Sequence, residues 1–324
     1  MYRQAQIYSL FYPLNMTFLN AADDVSQYGK GQNGLLLCCG QTHQKKPFTM
    51  KTILVPTDYS EISDNALRYS VQLAQHLKAQ IVLLHIYEIP VPSAELPILA
   101  VAEEMETENR KRIQHLSEET RKKTKGELIL VAETRMGFSV AEEICKEIET
   151  RQADLVVMGV TGAGKLISTL IGSTTTTVLS KTQCPILVVP GSARFSPLHT
   201  IAFACDSGTV LPERFSETLF SLINSFRSRF HVLSIQKPLS EVYPGEEKHF
   251  SKLTLSKLSA FQPEYHFPIG QNPESGFDEF ITSQTVDLLV MVPRHRNPLT
   301  GFFHISLTRK IALHTHIPLL SIHQ

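Results

Sequence analysis

A glycine-rich segment, MGVTGAGKLISTLIGST at residues 158–174, is the stretch whose composition most directly suggests chemistry. Gly159 and the pair Gly164-Lys165 have the spacing of a phosphate-binding P-loop, but Leu166 occupies the position of its final serine or threonine. In a working P-loop that hydroxyl binds Mg²⁺, and a leucine side chain cannot replace it. The segment also follows the fourth predicted strand, whereas a P-loop usually follows the first. The sequence therefore disfavours a Walker-type nucleoside triphosphatase.

A second glycine spacing in the same segment is complete. Gly159 is followed after two residues by Gly162 and after nine more by Gly172, which precedes Ser173 and Thr174 at the start of a predicted helix. Unpaired backbone amides at a helix N-terminus attract anions, helped by the helix dipole. Glycines without a Cβ allow the backbone to approach a ligand closely and to adopt positive φ where needed. This spacing predicts a cradle for phosphate groups.

Composition restricts the class of protein. The 324 residues carry 31 basic and 31 acidic side chains, so no broad field attracts nucleic acid or an anionic membrane. Five cysteines without a C-x-x-C pair are typical of a reducing compartment. No apolar run approaches the roughly 20 residues of a membrane helix, and the apolar stretch at residues 7–18 is interrupted by Pro13 and Asn15. We expect a cytoplasmic protein with neither nucleic-acid nor membrane partners.

From Met50 onward, short β-branched runs alternate with longer helical stretches. This pattern is typical of a parallel sheet covered by helices on both faces. Residues 1–49 show neither periodicity and are interpreted as an unstructured tail or a spurious extension. The predicted strands are 53–55, 81–86, 128–131, 155–158 and 186–189, and the predicted helices are 60–78, 101–125, 139–150 and 173–181.

The pattern starts again after a short linker at residues 191–197. HTIAFACDS resembles the earlier KTILVPTDYS, and residues 153–190 align without a gap on residues 286–323, with Asp154 matching Asp287. A constant offset over such a length indicates a tandem duplication of one α/β unit. The predicted architecture is two tandem five-stranded parallel-sheet sandwiches, with one domain at 50–190 and a second, degenerate domain at 198–324.

The spacing G-x2-G-x9-G-[ST], after the strand DLVVMG and before CPILVVP, resembles the universal stress protein family and specifically its ATP-binding branch. The resemblance covers nearly all of residues 50–324. It implies an adenine nucleotide alpha hydrolase-like, Rossmann-like fold that binds ATP, with or without Mg²⁺. It also implies a nucleotide site formed by Pro56, Thr57, Asp58, Ile86, Met158, Gly159, Gly162, Gly172, Ser173 and Thr174.

Within that resemblance, Asp58 is expected near the ribose and Ile86 against the adenine. A carboxylate at the carboxyl end of a parallel strand is well placed to accept a hydrogen bond from a ribose hydroxyl. The alternative is that Asp58 only caps the helix that starts near Ser60. The two roles are compatible.

The second unit departs from the glycine pattern. Side chains stand where the backbone must approach phosphate, so we expect this unit to have a structural role. It would replace the second subunit of the dimers that the family commonly forms, through intramolecular pairing of the two domains, and further association into a homodimer stays open. The replacements are Val292, His295 and Ile305 for the three glycines, while Ser306, Asp206 and Ile235 are retained.

The residues themselves argue for nucleotide binding, and the resemblance implies a stress-response regulator that binds ATP in its first domain and hydrolyses it slowly or not at all. The alternatives are a nucleotide hydrolase or transferase of the related adenine-binding group, and a chaperone-like interaction protein with a vestigial pocket. No catalytic set is apparent. Lys165 either neutralises phosphates or projects into water, and the pair His314 and His316 has no third metal ligand at convincing spacing.

Overall fold

The structure is a computed structural model that describes residues 49–88, 98–160, 173–205, 211–233, 256–266, 273–292 and 317–322. Residues 47–324 form one compact unit. Apart from Thr49, the predicted tail at residues 1–49 lies outside the described residues. The proposed boundary between two domains stays a prediction.

The described elements begin with a regular alternation of strands and helices. The strands of the first half are β1 (Thr52–Pro56), β2 (Gln80–Tyr87), β3 (Leu130–Met136), β4 (Leu155–Val160) and β5 (Ile186–Pro190). Its helices are α1 (Glu61–Leu77), α2 (Ile98–Lys123), α3 (Val140–Arg151) and α4 (Ser173–Lys181). The second half contains β6 (Thr200–Ala204), α5 (Glu213–Phe226), β7 (Arg229–Leu233), a 3-10 turn (Ser259–Phe261), β8 (Glu264–His266), α6 (Pro273–Gln284), β9 (Leu288–Met291) and β10 (Leu319–Ser321).

Helix α1 shows why local sequence is sufficient for some of these elements. Ser60 is its N-cap and accepts a hydrogen bond from the backbone N–H of Ser63 at 3.2 Å, while Lys78 ends it in the left-handed conformation. Between these caps the face predicted from periodicity is buried, including Tyr69 and Leu73. The predicted helix at 60–78 is therefore confirmed, with its two end residues acting as the caps.

One ten-stranded sheet runs through the unit in the order β3-β2-β1-β4-β5-β10-β9-β6-β7-β8. Counted from its own first strand, each half has the order 3-2-1-4-5, so the second half repeats the topology of the first. All paired strands are parallel except β5 and β10, which pair antiparallel where the halves meet. The predicted five-stranded parallel sheets are confirmed, and the structure joins them edge to edge.

The core has two layers, one on each face of the sheet. Helices α1 and α5 pack on one face, together with the buried side of α2. Helices α3, α4 and α6 pack on the other face. Alternate strand residues enter opposite layers, as Ile53 and Leu54 of β1 do.

Strand β3 is the element that differs most from expectation. The prediction placed it at 128–131, whereas the structure has it at Leu130–Met136. The missed part contains Glu133 and Arg135. Arg135 forms ion pairs with Glu133 at 3.1 Å and with Glu147 at 3.0 Å. β3 is the outermost strand of its half, and edge strands commonly carry polar side chains. These polar residues interrupt the apolar pattern from which the other strands were predicted.

Helix α2 is the longest described helix and is strongly charged. Its 26 residues end in Arg121, Lys122 and Lys123, while Ile113 is fully buried against the sheet. The charges therefore form a solvated face, as the sequence predicted. Within the described ranges, none of the helices combines the length and apolarity that crossing a membrane requires.

Candidate nucleotide-binding site

The predicted site residues converge on one edge of the first half of the sheet. Strands β1, β2 and β4 are parallel neighbours, so their carboxyl ends meet at the same edge. The chain leaves β1 towards β2 on one side, while β4 lies on the other side, which makes the gap between β1 and β4 a topological switch point. In open α/β sheets, ligands bind in the crevice outside such a point.

Thr57 follows β1 directly and is buried. Its backbone N–H donates to the carbonyl of Leu84 at 2.8 Å, which continues the pairing of Pro56 with Leu84 one residue further. Its Oγ1 accepts from the N–H of Tyr59 at 3.0 Å and lies 3.1 Å from the hydroxyl of Ser63. The Thr57 side chain therefore orders the turn between β1 and α1.

Asp58 is exposed at the same edge. Its Oδ1 accepts from the backbone N–H of Ser60 at 3.0 Å, and Ser60 itself caps α1. Partial burial alone would raise the pKa of the Asp58 carboxyl, but hydrogen bonding by Ser60 and Ser63 outweighs it and lowers the pKa below 3.8. Asp58 thus closes the turn before the helix without being its cap, and remains an ionised acceptor facing solvent.

Tyr59 is a site residue that the sequence interpretation missed. Its φ of 62° is left-handed, which is unusual for a large side chain and requires support from its surroundings. Its ring lies 4.4 Å from the ring of His85 and 3.9 Å from the guanidinium carbon of Arg112. His85 Nδ1 in turn lies 2.8 Å from the carbonyl oxygen of Thr57. Burial raises the pKa of Tyr59 to about 12, against the opposing charge of Arg112, so the phenol stays protonated.

This cluster links the turn between β1 and α1 to β2 and α2, beside the exposed carboxylate. The phenol oxygen of Tyr59 is buried and has no hydrogen-bond partner among the residues that the structure describes. The only signal in the sequence was the position of Tyr59 in TDYS, one residue after Asp58. Its partners lie 26 and 53 positions later, and sequence spacing does not reveal them.

Ile86 and Met158 form an apolar floor at this edge. They lie near the ends of β2 and β4, are 9% and 6% exposed, and belong to the core layer beneath α3 and α4. The structure therefore places two residues that are 72 positions apart in the chain on the same face of the sheet, on the two strands that flank β1.

Gly159 lies in β4 opposite Val189 of β5. A Cβ at this position would lie 2.6 Å from the carbonyl oxygen of Ile62 and 3.0 Å from its carbonyl carbon. Both atoms are backbone, so a side chain would force the first turn of α1 away from the sheet. The expected need for positive φ does not apply here, since Gly126 is the described glycine with φ in that range.

Ser173 and Thr174 begin α4, the helix that follows β4. Ser173 is exposed, Thr174 is half-buried, and the Ser173 carbonyl accepts from the hydroxyl of Thr177 at 2.8 Å. The described helix therefore agrees with the predicted helix at 173–181. The remaining predicted cradle residues, Gly162 and Gly172, lie outside the described residues, as does Lys165.

In the second half, Val292 takes the place of Gly159 and is buried directly after β9. Helix α5 begins only at Glu213, after an N-cap at Pro212 that makes no side-chain hydrogen bond. The other calls for this half lie outside the described residues: Asp206, Ile235, His295, Ile305, Ser306, His314 and His316.

A parallel sheet with a switch point, a carboxylate after β1 and a helix after β4 are features of open α/β folds, the class in which ligands generally bind at the carboxyl ends of the strands. Residues 49–190 match the family model described as the universal stress protein family. A universal stress protein of Methanocaldococcus jannaschii is 30% identical over 146 residues, which cover 43% of this chain and 81% of that relative. A second from the same organism is 35% identical over 158 residues, covering 43% of this chain and 94% of the relative. The chain belongs to the universal stress protein family.

A solved structure supports the fold over both halves. The universal stress protein of Archaeoglobus fulgidus superimposes with a TM-score of 0.66 at 17% identity, covering 85% of this chain and 99% of its own. At that identity the match concerns the fold alone. It confirms the predicted Rossmann-like, adenine nucleotide alpha hydrolase-like fold class.

Proposed function

We propose that the first half of this stress-response protein binds ATP at the edge formed by β1, β2 and β4. The observation that carries the proposal is the position of Asp58 and Gly159 at the carboxyl ends of β1 and β4, on either side of the switch point. The ribose would bind beside the Asp58 carboxylate, and the adenine would lie over the rims of Ile86 and Met158. The phosphates would follow the glycine segment to the N-terminus of α4, where free amides favour anions.

The bound nucleotide acts as a regulatory signal in this proposal, with slow hydrolysis or none. The Thr57 hydroxyl, directly before Asp58 in the chain, is already engaged in the turn. Asp58 has a lowered pKa, which makes it a weak general base at neutral pH. Neither residue is therefore suited to activating a water molecule.

The second half serves as a structural copy in the same proposal. Support comes from the repeated strand order and from the equivalent roles of Asp154 and Asp287. Asp154 accepts from the N–H of Thr52 at 3.0 Å, and Asp287 accepts from the N–H of Thr200 at 2.9 Å. With Val292 in place of glycine, this copy would pair with the first half and would not bind nucleotide. The cytoplasm remains the expected location, on the grounds of cysteine usage.

Calorimetric titration of ATP into the full chain, with and without Mg²⁺, tests the proposal. We expect micromolar binding at one site per chain, lost when Gly172→Val places a side chain in the cradle. Ile305→Gly, at the counterpart of Gly172 in the second half, is the matched control and should leave affinity and stoichiometry unchanged. Fast turnover of the bound nucleotide would favour the hydrolase or transferase alternative. Absence of binding would contradict the proposal and leave the chaperone-like role.

A further inference from the structure

We propose that His231, Glu264 and His266 form a binding site for a divalent transition metal ion of the zinc type in the second half of the protein. One ligand atom from each side chain can be chosen so that all three lie within 4.8 Å of one another. The proposal is independent of nucleotide binding, because these residues are on β7 and β8, at the far edge of the sheet from β1 and β4.

Strand pairing explains why the three side chains meet. His231 of β7 lies opposite Glu264 of β8, and Leu233 lies opposite His266 in the same parallel register. Residues two apart on a strand share a face, so both β8 side chains lie on the face that carries His231. The backbone of the sheet therefore holds the cluster, which does not depend on a loop.

The distances suit a metal ion. His231 Nδ1 lies 2.9 Å from His266 Nε2 and 3.6 Å from Glu264 Oε2. Ligand atoms around a tetrahedral zinc ion lie about 3.3 Å apart, as its bond lengths require. Small rotations of the two β8 side chains would bring the three atoms to that separation. Two imidazoles and a carboxylate favour Zn²⁺ and its neighbours over Mg²⁺ or Ca²⁺, which prefer oxygen ligands.

The three side chains differ in their exposure to solvent, and a metal site that an ion can enter needs at least one exposed ligand. The His231 side chain is 2% exposed, whereas the Glu264 side chain is 63% exposed and gives an entry path from solvent. Phe280 of α6 packs edge-on against both imidazoles, with ring centroids 5.8 Å from His231 and 4.8 Å from His266. The rings are thus held in place, and a water molecule would complete the coordination from the exposed side of Glu264.

The fold itself does not require polar residues here. In the first half, the position equivalent to His231 is Val82, and Val82 lies opposite Val131 where His231 lies opposite Glu264. An apolar pair therefore satisfies the same strand pairing. The competing explanation is a hydrogen bond between the two histidines without a metal. In that arrangement Glu264 Oε2 lies 3.6 Å from His231 Nδ1, beyond hydrogen-bond distance, so the histidine pair alone does not account for the third side chain at this place.

The test uses the full chain, stripped of metal with EDTA and titrated with Zn²⁺ in a calorimeter. We expect one ion per chain at micromolar affinity or tighter, and a rise in the thermal unfolding temperature, because the ion joins edge strand β8 to β7. Co²⁺ in place of Zn²⁺ should give the visible absorption of a tetrahedral site. Failure of Zn²⁺ to bind would overturn the proposal in favour of the hydrogen-bonded pair.

Variants assign the ion to these residues. His266→Ala and Glu264→Gln should each weaken Zn²⁺ binding at least about tenfold and abolish the Co²⁺ absorption, while circular dichroism confirms that they fold. His199→Ala removes an exposed histidine elsewhere and should change nothing. Double replacement of His314 and His316 by alanine tests the rival pair. Unchanged affinity in His266→Ala, or loss of binding in that double variant alone, would overturn the assignment.

Discussion

Leu187 of β5 lies directly opposite Leu320 of β10, at the centre of the antiparallel pair that joins the two halves of the sheet. The sequence alignment of residues 153–190 with 286–323 makes these two leucines equivalent to each other. Each residue therefore pairs with its own counterpart, as at the two-fold axis of a symmetric dimer. On one side of this pair, Ile186 lies opposite Ser321, the counterpart of Val188. On the other side, Val188 lies opposite Leu319, the counterpart of Ile186.

Replacement of Leu320 by alanine should destabilise the whole unit. Leu320 is fully buried, and removing such a side chain costs about 2–5 kcal/mol of unfolding free energy. Since the sheet is continuous, we expect one cooperative transition in denaturant for both the parent and the variant. Ile129→Ala, at a side chain that is 68% exposed, is the control and should change little. Two separate transitions would show that the halves unfold independently.

Gly159→Ala should destabilise the protein and weaken ATP binding together. The new Cβ would meet the Ile62 backbone at 2.6 Å and displace the start of α1, which adjoins Asp58. Gly191→Ala is a closely matched control, because its Cβ would have ordinary contacts of 3.7 Å to Val160 and 3.8 Å to Ile62. Denaturant unfolding and ATP titration measure both effects. Equal stability of the two variants would refute the packing role of Gly159.

The contribution of Asp58 to stability should depend on pH. Its folded-state pKa is lowered below 3.8, so the charge contributes stability above that value, and this contribution is lost as pH falls through the lower folded-state pKa. Asp58→Asn keeps an oxygen for the Ser60 N–H but has no charge. We expect the unfolding free energy of the parent to exceed that of the variant at pH 7 and to lose this advantage in acid. A difference that does not change with pH would contradict this assignment.

Glu147 should be the most sensitive member of the charged network on α3 and β3. Its side chain is 4% exposed and binds Arg135 at 3.0 Å and Arg151 at 2.7 Å. Glu147→Ala removes charged hydrogen bonds to both arginines and leaves them with Glu133 alone, so we expect it to cost about 2 kcal/mol. Glu142→Ala removes an exposed carboxylate whose ion pair is with Lys181, at 3.0 Å, and should have little effect. Urea unfolding of the two variants provides the comparison, and equal losses would argue against the network.

The sequence alone determined most of the local elements of the first half, and it supplied the hypothesis of a nucleotide site at one edge of the sheet. Periodicity predicted a helix at 60–78, whose end residues are the observed caps of α1, and a helix at 173–181, which agrees with α4. It did not identify the cap itself, for which Asp58 was the candidate and Ser60 is the residue observed. The glycine spacing and the residues after each strand identified one edge of the sheet. These features depend on residues close together in the chain, where helix periodicity and capping act.

The tertiary structure alone decided which distant residues meet. The stacking of Tyr59 on His85 and Arg112, the packing of Gly159 on Ile62, and the meeting of His231 with Glu264 and His266 all require strand order and register. The antiparallel joining of β5 to β10 likewise depends on which sheet edges are buried together. Register is a property of the assembled sheet, in which many weak contacts are satisfied at once, and no local spacing encodes it.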